Sequence, residues 1–206
     1  MPDANQPPIN LALSYTTAPD GSRAVAIPDD VRARVVSFVQ DGGARPPGEI
    51  EATIQQGHDA LMVALAPLTE AQAAFKPSGD GWSVLELMAH VVTTKQIVVT
   101  LCRNLGEGRL PPGFTAQFEE QRAQDGVTVA RFETLADARA AAEDAHAALL
   151  TFVRGIGAST NTEVRFKHFL FGALNAREWA VFQRIHDDDH TPQIGQIEAS
   201  AGFPAK

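Results

Sequence analysis

The amino-acid sequence predicts an all-α protein built around a four-helix bundle, with a short N-terminal extension. Apolar residues recur with the 3.6-residue spacing of amphipathic helices in four separate stretches after residue 47. Several of these stretches begin with helix-capping residues and end at glycines. Seven of the 13 prolines lie in the first 47 residues. We therefore divide the chain into an extension, residues 1–46, and a bundle, residues 47–206.

The composition is that of a soluble globular protein with one main core. The 206 residues are 44% hydrophobic and carry a net charge of −8, which disfavours nucleic acid as a partner because phosphates select basic surfaces. No stretch approaches the ~18 continuous apolar residues of a membrane span, and the N-terminus lacks the basic region of a signal peptide. We expect a cytoplasmic protein that binds neither nucleic acid nor membrane.

The single cysteine, Cys102, excludes an intramolecular disulfide. A secreted fold that depends on disulfides is excluded for the same reason. Because Cys102 lies among Ile97, Val98, Val99 and Leu101, we interpret it as a small buried apolar residue and not as a nucleophile.

The extension carries the pattern of a β-hairpin followed by a helix. Apolar and polar residues alternate from Ile9 to Tyr15, and Pro19-Asp20-Gly21 is a strong turn sequence before a second strand at 23–27. Asp29 then caps a short helix that Gly42-Gly43 ends. The residues that share one face of this helix are Val31, Val35, Phe38 and Val39.

The first two bundle helices are predicted at about 48–66 and 83–104. The second begins with a capping box formed by Ser83 and Glu86, and Trp82 before it is placed to pack on Leu87. The apolar stripe of the first helix consists of Ile50, Ile54, Leu61 and Leu65. Both stripes need partner helices to bury them.

The third and fourth bundle helices follow a long loop. Thr134 caps the third helix, which ends at Gly155 and Gly157. The fourth opens near Gly172 and runs to Pro192, where the loss of a backbone hydrogen bond predicts a kink or a restart with Thr191 as the cap. Bundles of this kind build metal sites from side chains on facing helices.

The most informative motif of the chain is His186-Asp187-Asp188-Asp189-His190 in the fourth helix. Residues i and i+4 lie on one face of a helix, so both imidazoles can point at a single transition-metal ion. Zinc and similar metals need at least three protein ligands, and an exposed polar patch explains the pair equally well. A third ligand has to be found elsewhere.

Among the other histidines, His90 is the strongest candidate for this third ligand. It lies in the second helix between Met88 and Val91, where burial of an unpaired imidazole is costly. A hydrogen-bonded core histidine is the commoner arrangement at such a position. The remaining histidines are His58, His146 and His168.

His58 and His146 lie beside apolar stripes, and we interpret both as hydrogen-bonded histidines at the edge of the core. Trp179 lies two turns before His186 on the same helix face. We interpret it either as a wall of the metal site or as a core aromatic residue.

Two stretches of the chain resemble the DinB-like, or DinB/YfiT, metalloprotein superfamily. Residues 81–91 read Gly-Trp-Ser-Val-Leu-Glu-Leu-Met-Ala-His-Val and are similar to the family helix that carries a Trp-Ser pair and a histidine. Residues 168–194, which include His-Phe-Leu-Phe-Gly, Asn-Ala-Arg-Glu-Trp and the His186/His190 motif, are similar to its closing helix. The resemblance covers about residues 48–198. It implies a four-helix bundle holding one divalent metal through His90, His186 and His190.

Two features depart from the family pattern. Phe169 stands where many members have a proline, which leaves the role of His168 open. The three consecutive aspartates point in directions about 100° apart around the helix, so at most two can approach the metal. We interpret them as a solvated acidic face, with one of them as an alternative acceptor for an imidazole N–H.

The resemblance implies a metal-dependent enzyme, a thiol-dependent S-transferase or isomerase acting on a small-molecule thiol or an electrophilic substrate. The alternative is a non-catalytic, stress-related protein in which the metal is structural. A hydrolase resembling the H-E-x-x-H metalloproteases is disfavoured, because aspartate is one methylene shorter than the glutamate base. Three neutral imidazoles suit nickel, zinc and iron about equally. The resemblance also implies a homodimer.

Overall fold

The computed structural model describes residues 11, 14–17, 23–78, 81–113 and 130–205. Within them lie six helices and two small antiparallel β-hairpins. The helices are α1 (Asp29–Gly43), α2 (Pro47–Leu65), α3 (Glu70–Ala74), α4 (Val84–Gly106), α5 (Leu135–Arg154) and α6 (Ala176–Glu198). The strands are β1 (Ser14–Thr17), β2 (Arg23–Ala26), β3 (Phe166–His168) and β4 (Gly172–Leu174).

The four long helices α2, α4, α5 and α6 form the bundle, which confirms the predicted all-α fold class. Contacts join α2 to α6, α6 to α4, α4 to α5, and α5 back to α2. The helix pairs on the diagonals of this square contact each other little. All three candidate metal ligands lie on the adjacent helices α4 and α6.

The buried apolar residues form two clusters, one at each end of the bundle. The first cluster takes the beginnings of α2 and α6 and the ends of α4 and α5; the second takes the opposite ends. Consequently α2 and α6 run in one direction, and α4 and α5 run in the other. Each fully buried leucine or isoleucine in these clusters contributes about 1.5–3 kcal/mol of stability.

Buried polar residues occupy the middle of the bundle, between the two apolar clusters. Every bundle helix supplies at least one of them: His58 from α2, Lys95 from α4, His146 from α5, and Asp187 from α6. Along each helix these residues fall where the first cluster ends and the second begins. We call this set of four residues the central polar layer.

The N-terminal region carries the predicted hairpin and helix. Ser14–Thr17 pairs antiparallel with Arg23–Ala26, and α1 ends at Gly43 as expected. The predicted Asp29 cap was wrong, because Asp29 is the first residue of α1 and no side chain among the described residues caps this helix. The predicted Pro19-Asp20-Gly21 turn and the strand start at Ile9 lie outside the described residues. Helix α1 packs its buried valines into the same core as α6. A Cβ on Gly43 would stand 2.8 Å from Cγ and 3.2 Å from the backbone nitrogen of Glu178, so a larger residue here would force Glu178 to shift.

Two details of the last helix were predicted wrongly. Helix α6 begins at Ala176, because Asn175 and Glu178 form a capping box there, whereas Gly172–Leu174 pairs with Phe166–His168 as a strand. Of the two alternatives at Pro192, the restart with Thr191 as the cap was wrong, because the helix continues through Pro192, and the kink stays a prediction. The Thr191 hydroxyl instead donates to the carbonyl of Asp187 at 2.8 Å.

Helix α4 is long and apolar enough to cross a membrane by length and composition alone. However, 72% of its most apolar stretch is buried inside the protein. This burial is typical of the core helix of a bundle and agrees with a soluble protein.

The structure confirms that Cys102 is a buried core residue of α4. It is fully buried, and its thiol donates to the carbonyl of Ala176 at 3.2 Å. Burial raises the pKa of the Cys102 thiol far above its ordinary value, so the reactive thiolate is suppressed.

Candidate metal centre

The position of His90 follows from the start of α4. The Ser83 hydroxyl accepts from the Glu86 backbone N–H at 3.1 Å, and the Glu86 carboxylate accepts from the Ser83 N–H at 2.8 Å. This capping box was predicted from the sequence and sets the first turn of the helix. His90 then lies two turns further on, facing α6.

The structure brings His90, His186 and His190 together. Each imidazole offers one nitrogen to a common point, and these three nitrogens all lie within 4.8 Å of one another. The Nε2 atoms of His90 and His186 are 3.3 Å apart. Such convergence of ring nitrogens from two helices is the arrangement that a divalent transition metal requires.

The side chain of Gln193 orients His190. The Gln193 Oε1 atom lies 3.3 Å from His190 Nδ1, so Nδ1–H donates to the amide and the Nε2 lone pair is left for a metal. Burial lowers the pKa of His190, although Asp189 and the Gln193 hydrogen bond oppose the effect. The neutral imidazole is the form that binds metal.

The aspartates between the two histidines do not form the solvated acidic face that we predicted. Asp187 is 1% exposed and pairs with Lys95 of α4, Nζ to Oδ2 2.8 Å. Asp188 is 5% exposed and pairs with Arg184 one turn earlier, Nε to Oδ2 2.7 Å. Periodicity failed for Asp187 because Lys95 becomes its partner only when α6 packs against α4; the Arg184–Asp188 pair is a local i,i+4 contact within α6 that the sequence reasoning overlooked.

Asp189 lies closer to the surface than its two neighbours. Burial raises the pKa of its carboxyl group, while His190 and the backbone N–H of Leu11 act in the opposite direction. The contact with Leu11 ties the N-terminal region to the turn of α6 that carries His190.

His58 and His146 form a separate histidine pair in the central polar layer. Their rings are stacked with centroids 3.9 Å apart and planes 7° apart. His58 Nε2 lies 3.2 Å from a Glu143 carboxylate oxygen, and His146 Nε2 lies 3.0 Å from the Gln55 amide oxygen. The predicted hydrogen bonding is confirmed, but the two residues are 2% and 3% exposed and so lie inside the core, not at its edge.

Aromatic side chains flank the triad. Trp82 lies against His90 with ring centroids 5.2 Å apart, and Phe182 lies 6.1 Å from His186. Trp179 is fully buried, and its indole N–H donates to the Phe166 carbonyl at 3.3 Å. Of the two interpretations of Trp179, the structure therefore supports the core aromatic residue. His168 lies among Phe171, Trp179 and Phe182, away from the triad.

A cavity of about 710 Å³ adjoins the triad on the side of Trp82. Trp82 and Ala89 of the α4 region line it, together with the charged side chains of Lys76, Glu86 and Arg131. The three histidines do not line this cavity themselves. Trp82 contacts both the cavity and His90, and sequence reasoning had assigned it only a packing role on Leu87.

The fold is a four-helix bundle, and its three clustered histidines are compatible with metal binding. The model of the family described as "DinB superfamily" matches residues 53–194, which are more than half of the chain. The protein therefore belongs to the DinB superfamily, as the resemblance in its sequence implied. No curated protein and no solved structure matches it significantly.

Proposed function

We propose that the protein binds one divalent metal ion, nickel, zinc or iron, through His90, His186 and His190. The observation that carries this proposal is the convergence of the three ring nitrogens within 4.8 Å of one another. The donor set fits such an ion, because neutral imidazoles suit all three metals. The hydrogen bond from His190 Nδ1 to Gln193 is the kind of outer contact that holds a ligating histidine in the right tautomer.

We further propose that the protein uses this centre as a thiol-dependent S-transferase or isomerase. A metal held by three histidines keeps an open position, where it can polarise a thiol, a water or a carbonyl oxygen. The cavity beside Trp82 supports a small-molecule thiol or an electrophilic substrate, because it combines aromatic walls with Lys76, Glu86 and Arg131. Trp82 would orient such a substrate beside His90.

One observation favours a second candidate function, a non-catalytic protein in which the metal is structural. His186 and His190 are only 9% and 8% exposed, and none of the three histidines lines the cavity. A buried ion that joins α4 to α6 would act as a staple, because a ligand bound only by the native state stabilises it.

Elemental analysis of protein purified without an affinity tag tests the metal centre. We expect about one equivalent of nickel, zinc or iron in the wild type and none in H90A. The matched control is H58A, which removes a buried histidine outside the triad and should keep the metal. A wild type without stoichiometric metal, or an H90A variant that retains it, contradicts the proposal.

Turnover assays then separate the two candidate functions. Metal-loaded protein is incubated with low-molecular-weight thiols and electrophilic acceptors, and thioether formation is followed by mass spectrometry. Turnover that is lost in H90A supports the transferase. A protein that binds metal and gains thermal stability, yet turns over no thiol, supports the structural role.

The remaining proposals concern assembly and location. We propose a cytoplasmic homodimer, in keeping with the family resemblance and the acidic composition. Light scattering on the purified protein distinguishes a mass of two chains from a mass of one.

A further inference from the structure

A buried ion pair joins the two helices that carry the candidate metal ligands. Lys95 of α4 and Asp187 of α6 are each 1% exposed, and Lys95 Nζ lies 2.8 Å from Asp187 Oδ2. Lys95 is five residues after His90, and Asp187 directly follows His186. The ion pair and the triad therefore connect the same two helices at neighbouring levels.

Stability alone does not explain this ion pair. Removing two charges from water costs free energy that their mutual attraction often fails to recover, so apolar replacement of a buried pair is often neutral or stabilising. The best-attested use of buried polar groups is to select one register between packed helices. A buried ion pair between α4 and α6 can play that part here.

The triad needs such control of register. Helix α4 supplies one ligand and α6 supplies two, so the position of α4 along α6 sets whether the three nitrogens converge. A slip of a single residue moves a side chain by about 1.5 Å along the helix axis, whereas metal–ligand distances tolerate only about 0.2 Å.

The direction of the Lys95 side chain fits this role. Side chains on a helix lean toward its N-terminus, so Lys95 reaches back along α4 toward the level of His90. Helices α4 and α6 run in opposite directions, as the order of their core residues shows. The ammonium group thereby meets Asp187 at the turn of α6 that carries His186.

We propose that Lys95 and Asp187 are positioning residues, which hold α4 and α6 in the one register that makes His90, His186 and His190 converge. This inference rests on the metal centre proposed above. It adds a function for two residues that are not themselves ligands.

The test compares apolar replacement of the pair with removal of a neighbouring ion pair. The variant K95M/D187L replaces the bridge by apolar side chains of similar size. The matched control is R184M, which removes the pair between Arg184 and buried Asp188; both of those residues lie on α6, so α4 is not tied by them. Each protein is freed of metal and titrated with Co²⁺, whose visible spectrum reports the affinity and the coordination geometry, and the unfolding midpoint of each metal-free protein is measured.

We expect K95M/D187L to unfold at about the wild-type temperature but to bind Co²⁺ at least about tenfold more weakly, with an altered spectrum. R184M should keep the wild-type affinity and spectrum. A K95M/D187L variant that binds Co²⁺ with wild-type affinity and spectrum would overturn the inference, whether or not its unfolding midpoint changes. Equal losses of affinity in R184M would overturn it too.

Two other outcomes are possible: the double variant does not fold, or the wild type does not bind Co²⁺. If K95M/D187L does not fold, the milder variants K95Q and R184Q are compared in the same titration, and equal affinities refute the positioning role. A wild type that binds no Co²⁺ refutes the metal centre and this inference together. If the wild type and K95M/D187L bind Co²⁺ equally tightly, the positioning role is refuted but the metal centre is not.

Discussion

The bundle contains two groups of buried histidines, and they are built in different ways. In the triad, His90, His186 and His190 direct ring nitrogens at one another, and the nitrogens lie within 4.8 Å. In the second group, His58 and His146 stack face to face at 3.9 Å and direct their Nε2 atoms at different partners, Glu143 and Gln55. Ring edges that converge are able to hold a metal ion, whereas stacked rings fill a core.

Burial therefore does not distinguish the candidate metal ligands from the core histidines in this protein. His58 is more deeply buried than either His186 or His190, yet its ring nitrogens do not meet those of a third histidine within the described residues. What distinguishes the groups is helix geometry. An i,i+4 pair on one helix aims two rings the same way, and a residue on the adjacent antiparallel helix completes the set.

The largest expected effect is the response of stability to metal. At a free ion concentration of 1,000 times Kd, binding to the native state adds about 4 kcal/mol, which raises the Tm of a chain of this size by about 8–16 °C. H186A should lose this increment, because two histidines do not hold the ion. H58Q is the matched control and should keep it. Differential scanning fluorimetry with and without Zn²⁺ measures both, and a loss in H58Q equal to that in H186A would erase the contrast between the two groups.

The second effect is a loss of stability in acid that originates in the stacked pair. Burial lowers the pKa of His146 to about 3 and also lowers the pKa of His58, with Lys95 adding to both effects. The two histidines therefore bind protons in the unfolded chain at pH values where they stay neutral in the native protein. Their contribution to the free energy of unfolding is complete above pH 6.5 and is lost as the pH falls toward their pKa values in the folded protein. Between pH 7.5 and 5.5, His146 alone accounts for about 1.4 kcal/mol.

Urea unfolding at a series of pH values in the presence of a chelator measures this dependence. The variant H58Q/H146Q should show a shallower fall in the free energy of unfolding between pH 7.5 and 5.5 than the wild type. Identical slopes in the two proteins would place the acid sensitivity elsewhere in the chain.

A smaller effect is expected when the stacked pair is replaced by apolar residues at neutral pH. In H58L/H146L the buried Nδ1 atoms, which have no hydrogen-bond partner among the described residues, are removed with the rings. Glu143, which lies 3.2 Å from His58 Nε2 in the wild type, is 59% exposed and can be hydrated instead. The change in stability should stay below about 1.5 kcal/mol, because side-chain volume is nearly conserved.

The same replacement at His186 and His190 should abolish metal binding, which isothermal titration with Zn²⁺ measures.

The smallest expected effect comes from Glu143, whose carboxylate is 59% exposed and 3.2 Å from His58 Nε2. E143Q removes the negative charge that raises the pKa of His58 through its hydrogen bond, and leaves only the weaker effect of Asp187, so the pKa of His58 should fall further. The free energy of unfolding should change by less than about 1 kcal/mol, as for exposed pairs in general. An NMR titration of the His58 ring reports the pKa, and an upward shift would contradict the prediction.

Most of the fold could be predicted from local sequence signals. Ser83 with Glu86 marked the start of α4, Thr134 marked the start of α5, and the apolar stripes of α2 and α4 indicated their buried faces; the structure agrees with each of these. The start of α6 was misplaced, although Asn175 and Glu178 formed a recognisable capping box. The short helix α3 carries the same kind of signal in Thr69 and Gln72, and we assigned no helix there.

The sequence by itself determined the bundle and the pair His186 and His190, because helix periodicity, caps and i,i+4 spacing are local properties of the chain; His90 was added by the family resemblance. Only the tertiary structure decided which buried groups meet. Asp187 was predicted to be solvated because its partner Lys95 lies 92 residues earlier, and no local pattern connects the two. The same packing of α4 against α6 brought His90 to His186 and His190, and left His58 to stack on His146.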